Sequence, residues 1–237
     1  MQENRMHLTP RLRTIMQQVP EGARLADIGT DHALIPTALL RRGVIQSAIA
    51  SDLREGPLDS AARTAKQFEV EHKLSLRLGG GLQTVKPDEA DTIVIAGMGG
   101  ENIASILAAA PWTADGQHTL LLSPHTKAEE LRLFLMDHGY AIRREALVRD
   151  RGTLYPVMEV TAGEMTLTPG QLWGGAGLLH DPLGDRYIME KIVRLMGAIA
   201  GKNRSERSED REKADGLRDI VTELLAMREE WRHANCP

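Results

Sequence analysis

The sequence predicts an α/β protein: an open, mostly parallel sheet of seven strands followed by a helical hairpin. Three observations carry this expectation. Between residues 24 and 150, short β-rich runs alternate with helical stretches, which is how parallel strands joined by helical crossovers read. The alternation ends in two consecutive strand-like runs separated by a short turn, so the sheet closes on a hairpin with one antiparallel member. Beyond residue 163 the composition shifts to glycine and proline, and then to two stretches with apolar residues at helical spacing.

The first strand is Arg24–Ile28, leading through Gly29-Thr30-Asp31 into a helix from His32 to Arg42 that carries Pro36 early and Gly43 as its stop. Gln46–Asp52 follows as a strand around the buried run Ala48-Ile49-Ala50, and the next helix runs from Pro57 to Val70. Leu74–Leu78 alternates as the third strand. Asp91–Ala96 is the fourth, and Gly99 to Ala110 is helical with Pro111 closing it. Thr119–Ser123 is the fifth strand, and a helix over Lys127–His138 stops at Gly139. The hairpin pairs Tyr140–Val148 with Thr153–Val160 across Arg149–Gly152. A first domain over residues 1–163 and a second over 164–237 are expected, the second beginning with a Gly/Pro-rich connector. Its two helices carry Ile188, Ile192, Leu195 and Ile199, and then Leu217, Ile220, Val221, Leu224 and Leu225. A mixed-charge run between them reads as the solvated face of an antiparallel pair; an arm that grips a partner is the alternative.

Composition narrows the function. The chain has 237 residues, 42% of them apolar, enough for a core that needs neither disulfide nor metal. Its one cysteine, Cys236, has no partner, and no Cys/His cluster exists, so no metal site is expected and a reducing, cytoplasmic setting is. Neither a signal peptide nor an apolar run of membrane-spanning length is visible, so no membrane association is expected. The net charge of −4 argues against bulk electrostatic coating of nucleic acid, and eight scattered aromatics do not make a stacking platform for single strands. Contact with RNA is left to shape and to local charge, for which Arg11, Arg13, Arg41, Arg42, Arg54, Arg63 and Lys66 are the obvious pool.

In an open α/β sheet the ligand crevice lies beyond the carboxyl ends of the strands, and four strand ends here carry suitable turns. At the first, Asp27-Ile-Gly29-Thr30-Asp31-His32 places carboxylates around a glycine turn. A dinucleotide fingerprint wants a second glycine where Asp31 stands, and a carboxylate there repels a pyrophosphate, so a nicotinamide oxidoreductase fits poorly. A cationic ligand such as S-adenosylmethionine suits the same charges. Asp27 and Asp31 also suit simple capping of the turn and helix. At the second end, Asp52-Leu53 offers a carboxylate to two ribose hydroxyls, or merely caps the strand. Gly79-Gly80-Gly81-Leu82 allows close approach to a flat ring, or is a flexible turn. Gly97-Met98-Gly99-Gly100 spends three glycines at a strand-to-helix switch, a costly choice unless something approaches closely. Ser123-Pro124-His125 at the fifth strand end is expected to face the place where a substrate base enters, with His125 either contacting the base or standing as an ordinary loop histidine.

The strings Asp27-Ile-Gly-Thr-Asp-His-Ala33 with Pro36, Ile49-Ala-Ser-Asp52, Glu55-Gly-Pro57, Gly81-Leu82, Ile95-Ala-Gly-Met-Gly-Gly100 and Asp137-His-Gly-Tyr140 together resemble the bacterial TrmK family, the tRNA (adenine-22-N1)-methyltransferases. The resemblance spans nearly the whole chain. It implies a class I S-adenosylmethionine-dependent methyltransferase fold with a coiled-coil-like C-terminal helical domain, and methyl transfer from S-adenosylmethionine to N1 of an adenosine in the D-arm region of tRNA. Carried over by position, Asp27, Gly29, Thr30 and Asp31 belong to the cofactor loop, Asp52 and Leu53 to the ribose contact, Gly80, Gly81 and Leu82 to the adenine pocket, and Gly97, Met98 and Gly99 to the junction of cofactor and substrate. Two positions depart from the family: Leu34 replaces an aromatic, and Ser123-Pro124-His125 replaces Gln-Pro-Asn.

Transfer to a neutral ring nitrogen needs positioning more than covalent chemistry. Because the product base is cationic, a nearby carboxylate helps, with Asp31 the first choice and His32 the group that orients the adenine amino group. A methyltransferase for another RNA or a small molecule, and a non-catalytic module that holds an adenosine ligand, are the competing readings. The sequence leaves the oligomeric state open, with a monomer the simplest expectation.

Overall fold

A computed structural model describes residues 6–203 and 208–235. Cys236, and Arg204 and Arg207 of the charge run, lie outside the described residues. The chain divides into two compact units, one comprising residues up to Arg144 with Val148–Met165, the other Glu145–Leu147 with the chain from Thr166 onward.

The first unit opens with helix α1, Pro10–Met16, then strand β1, Arg24–Ile28, helix α2, Leu34–Arg41, strand β2, Ser47–Asp52, and helix α3, Glu55–Gln67. After a single 3-10 turn come β3, Leu74–Leu78; β4, Thr92–Ala96; α4, Gly100–Ala108; a second 3-10 turn over Pro111–Ala114; β5, Thr119–Ser123; and α5, Ala128–Asp137. Strands β6, Tyr140–Asp150, and β7, Thr153–Ala162, complete a seven-stranded sheet of order β3-β2-β1-β4-β5-β7-β6. Strands β1 to β5 pair in parallel and β7 runs antiparallel to β5, which is the expected architecture. Arg151 and Gly152, both at positive φ (49° and 87°), form the two-residue turn of the hairpin.

The central strands are buried on both faces, and their alternation divides the core in two. Leu25, Ala48, Ala50, Val94, Leu121 and Val157 pack under α1, α2 and α3 with Ile15, Ile35, Leu39 and Ala61. Ala26, Ile28, Ile93, Ile95, Leu120 and Leu122 point the other way and meet Ile103, Leu107, Leu131 and Leu135 from α4 and α5. Each fully buried Ile or Leu contributes about 1.5–3 kcal/mol. A one-residue slip of any central strand would exchange the two sets, so register is strongly held.

Three helices begin later than the sequence suggests, α4 by one residue because Gly99 is its N-cap. Helix α2 starts at Leu34 because Ala33 takes a left-handed conformation (φ 48°), and α5 starts at Ala128 because Lys127 does the same (φ 55°). Helix α3 lies nearer the N-terminus than expected: Gly56 and Pro57 fit its first turn, where a missing N–H costs nothing, and a left-handed Glu69 follows its end. Helix α1 and, in the second unit, helix α6, Pro169–Gly174, are additions to the sequence reading. Both start with Thr-Pro, threonine as N-cap and proline in the first turn, and α6 carries a full capping box between Thr168 and Gln171.

Within the second unit, α7, Gly184–Lys202, packs against α8, Ser208–Asn235, through Ile188, Ile192, Leu195 and Leu224. Asp185 accepts from Arg228 at 2.7 Å and Arg232 at 3.1 Å, tying the start of α7 to the end of α8. Among the described residues, no helix is long and apolar enough to cross a membrane.

Candidate active site

The turn after β1 is fixed by one hydroxyl. Thr30 Oγ1 donates to the Asp27 carboxylate at 2.7 Å and accepts the Ala33 amide at 3.0 Å, while the amides of Gly29 and Thr30 both donate to the Ser51 carbonyl at the end of β2. Asp27 is buried, and burial pushes its carboxyl up to about 6 despite the opposing pull of the Thr30 hydroxyl. The same turn carries Asp31 and His32 outward. Their side chains are 79% and 49% exposed, with His32 Nε2 3.5 Å from Asp31 Oδ2.

Beyond the carboxyl ends of β1 to β4 lies a cavity of about 790 Å³, within the usual size of small-molecule sites. Gly29, Asp52, Leu53, Gly80, Gly81, Leu82 and Met98 line it. Asp27, Thr30, Asp31, His32, Gly97 and Gly99 do not. Asp52 is nearly buried, its carboxylate accepting the Arg54 amide at 2.9 Å, and Leu53 stands 74% exposed at the margin. Gly29 sits at φ +75°, and a Cβ there would lie 2.0 Å from Met98 Cε.

The sequence reading did not include the far wall. Asn102, Ser105, Ile106 and Ala109 share one face of α4 and its end at spacings of three and four, and Ala110 and Trp112 continue that wall. Trp112 is braced edge-on by His118 (ring centres 4.8 Å apart), whose nitrogens are held by Asp115 at 2.8 Å and the Pro87 carbonyl at 2.9 Å. The sequence signal was the helical spacing of small and polar residues after the Gly97–Gly100 run.

The loops after β4 and β5 are joined by backbone bonds: Gly97 N to Ser123 O (3.2 Å), His125 N to Met98 O (2.7 Å) and Gly100 N to Thr126 O (2.8 Å). A Cβ on Gly100 would stand 2.1 Å from the Lys127 carbonyl oxygen. His125 is thereby held at the Gly97–Met98 turn.

The lining suits an adenosine-bearing ligand. Its apolar end (Leu82, Val85, Ile106, Trp112) accepts a flat ring, its carboxylate Asp52 suits paired hydroxyls, and side chains on Gly29 or Gly81 would intrude on the backbone cradle. An open parallel sheet with a terminal antiparallel strand and this crevice defines a nucleoside-cofactor methyltransferase, and the sequence model of a methyltransferase domain matches residues 8–158. The chain is 36% identical to the tRNA (adenine(22)-N(1))-methyltransferase of Bacillus subtilis (strain 168) over 76% of its own length and 75% of that protein's. The crystal structure of the B. subtilis m1A22 tRNA methyltransferase TrmK superposes with a TM-score of 0.84 at 29% identity, covering 93% of this chain and 100% of that one. A Streptococcus pneumoniae protein solved in complex with S-adenosyl-L-methionine gives a TM-score of 0.80 at 31% identity, covering 92% and 100%. The chain belongs to the tRNA (adenine(22)-N(1))-methyltransferase family.

Proposed function

We propose that this chain methylates N1 of the adenosine at position 22 of tRNA, with S-adenosylmethionine held in the cavity at the ends of β1 to β4. The observation that carries the reading is that the Gly97–Met98 turn has the cavity on its Met98 side and the loop bearing His125 on its Gly97 side. When bound, S-adenosylmethionine supplies a methyl group already activated on a sulfonium.

In this reading Asp52 accepts the ribose hydroxyls, Leu53 covers the ribose, and Gly80, Gly81 and Leu82 take the adenine against Trp112. Gly29, with Thr30 locking its turn to Asp27, lets the backbone approach the methionine moiety, and the Asp27 carboxylate contributes negative potential toward the ammonium group. Gly97, Met98 and Gly99 shape the gap through which the base approaches. No general base is required, because adenine N1 presents a free lone pair once unpaired. The chain's main task is alignment, worth up to roughly 7–11 kcal/mol in well-oriented systems. Asp31, exposed beside the turn, is the carboxylate that favours the cationic product base, and His32 orients the adenine amino group.

The test is incubation with methyl-labelled S-adenosylmethionine and an unmodified tRNA transcript, followed by primer extension. A stop at position 22 and recovery of N1-methyladenosine are expected, and a transcript with guanosine at that position should take no label. Label at another nucleotide, or none with cofactor binding intact, would overturn the reading.

A further inference from the structure

Arg11 is set in a way that the fold does not require. It projects from α1 so that its guanidinium carbon lies 4.8 Å from the centre of the Tyr155 ring, and the His125 ring stacks obliquely on the same tyrosine at 5.2 Å. Nε and Nη1 of Arg11 are shielded from solvent and have no hydrogen-bond partner. Burial lowers its proton affinity below that of an ordinary arginine; Tyr155 and then the buried Asp150 pull it back, yet no ion pair joins Arg11 to Asp150 among the described residues. Burial, and then Arg11 itself, likewise keep the His125 imidazole below its usual value, so at neutral pH it adds no second charge. The cluster is therefore a partly buried cation whose Nε and Nη1 have no hydrogen-bond partner, beside a neutral ring.

A buried charged donor without partners is costly, and its place in the fold says what completes it. The Nη2 edge faces the Gly97 turn, 3.8 Å from where a Cβ of that residue would be. Gly97 and Arg11 are both outside the cavity lining, so this edge does not face the cofactor cavity; in the proposed reading it lies at the turn past which the base must come. The partner is not the base, because methylation builds positive charge on the ring and a guanidinium touching it would oppose the reaction. The one anionic group an arriving nucleotide brings is its phosphodiester, which matches the planar fork of arginine with two oxygens where a ribose hydroxyl offers neither charge nor a second acceptor in that geometry.

Resting on the tRNA methyltransferase reading, we propose that Arg11, stacked on Tyr155 and set against Gly97, binds the backbone phosphate of the nucleotide whose base enters the active site. Tyr155 and His125 are the platform that fixes the fork. Arg11 is thus a positioning residue: it sets where the base lies without touching the reacting atoms.

The experiment compares wild type with Arg11→Gln and Arg11→Lys, measuring tRNA binding across a range of KCl concentrations in the presence of S-adenosylhomocysteine, and S-adenosylhomocysteine binding alone by calorimetry. Arg11→Gln should weaken tRNA binding about tenfold and flatten the log–log salt slope by about 0.7 to 0.9, the amount one lost phosphate contact removes. Arg11→Lys should keep the slope and lose part of the affinity, since it retains charge without the fork. S-adenosylhomocysteine affinity should be unchanged in both. An unchanged slope and affinity in Arg11→Gln would overturn the assignment, and a loss of S-adenosylhomocysteine affinity with tRNA binding intact would move the guanidinium to the cofactor's carboxylate instead. Should Arg11→Gln fail to fold, the Arg11→Lys result decides, because tRNA affinity equal to wild type overturns the role of the fork. A wild type that neither methylates tRNA nor binds it in a salt-dependent way would instead remove the function reading itself, an outcome separate from any result with the variants.

Discussion

Gly29 and Met98 line the same cavity and lie so close together that the Cβ glycine lacks would stand 2.0 Å from the methionine's terminal methyl. The turn after β1 and the turn after β4 thus meet at one point, and the point is open only because one partner has no side chain. Gly29→Ala meets two obstacles: the φ of +75°, which costs about 1–2 kcal/mol for a residue with a Cβ, and displacement of Met98. We expect S-adenosylhomocysteine affinity to fall at least tenfold with the fold retained. Adding Met98→Ala should recover part of that loss, and the recovery, measured as a double-mutant cycle by calorimetry, is the coupling between the two turns. Strictly additive effects would mean that the two residues do not share the site.

Asp27 makes stability fall as pH rises. Its folded carboxyl, near 6, sits above the ordinary value of 3.8, so the folded state holds the proton more tightly than the unfolded state does. The stabilisation is complete below about pH 4 and is lost as pH climbs through 6, a change on the order of 3 kcal/mol. Asp27→Asn, still able to accept from Thr30, should melt higher than wild type at pH 8 and close to it at pH 4. The same variant should bind S-adenosylmethionine more weakly, because the negative potential toward its ammonium is gone. Thermal melts at the two pH values check the first part, and equal melting at pH 8 would show that the buried charge is compensated.

How far the sequence reveals such a site depends on how local each feature is. Strands β1, β3 and β5 have the expected limits because buried parallel strands read as apolar runs bounded by turn residues. The strand-end residues Gly29, Asp52, Gly81 and Met98 are legible for the same reason, since an open sheet fixes where its carboxyl ends point. The wall formed by Ser105, Ile106 and Trp112 is not, because its role depends on how α4 packs over the crevice. Nor do Ala33 and Lys127 announce left-handed conformations, which residue type disfavours and tertiary contacts impose. The glycine run after β4 carries a further lesson. One of its members, Gly100, makes room for the protein's own Lys127 carbonyl rather than for a ligand.

That close approach is itself testable. A Cβ at Gly100 would meet the Lys127 carbonyl oxygen at 2.1 Å, and backbone cannot step aside as the end of a methionine can. Gly100→Ala should therefore destabilise the first unit by more than about 3 kcal/mol, in the upper tail of single substitutions. Urea unfolding would show it as a lower midpoint with an unchanged slope, and a midpoint close to wild type would mean that the β4 and β5 loops separate at little cost.

Asp31 and His32 stand outside the cavity lining, which allows turnover and cofactor binding to be separated. Both side chains are well exposed, so Asp31→Ala and His32→Ala should leave the melting temperature within a degree or two, as surface changes usually do. If Asp31 favours the developing cation on the base, Asp31→Ala lowers kcat by roughly 10²-fold, the scale of one lost electrostatic stabiliser, with S-adenosylhomocysteine affinity unchanged. Asp31→Asn separates charge from shape, because it keeps the hydrogen-bonding groups and loses only the charge. A kcat for Asp31→Asn as low as that of the alanine variant assigns the effect to charge, as the chemistry of a cationic product requires. Full turnover in Asp31→Ala, at saturating tRNA and with normal cofactor affinity, removes Asp31 from the mechanism and leaves alignment by the strand-end turns as the chain's whole contribution.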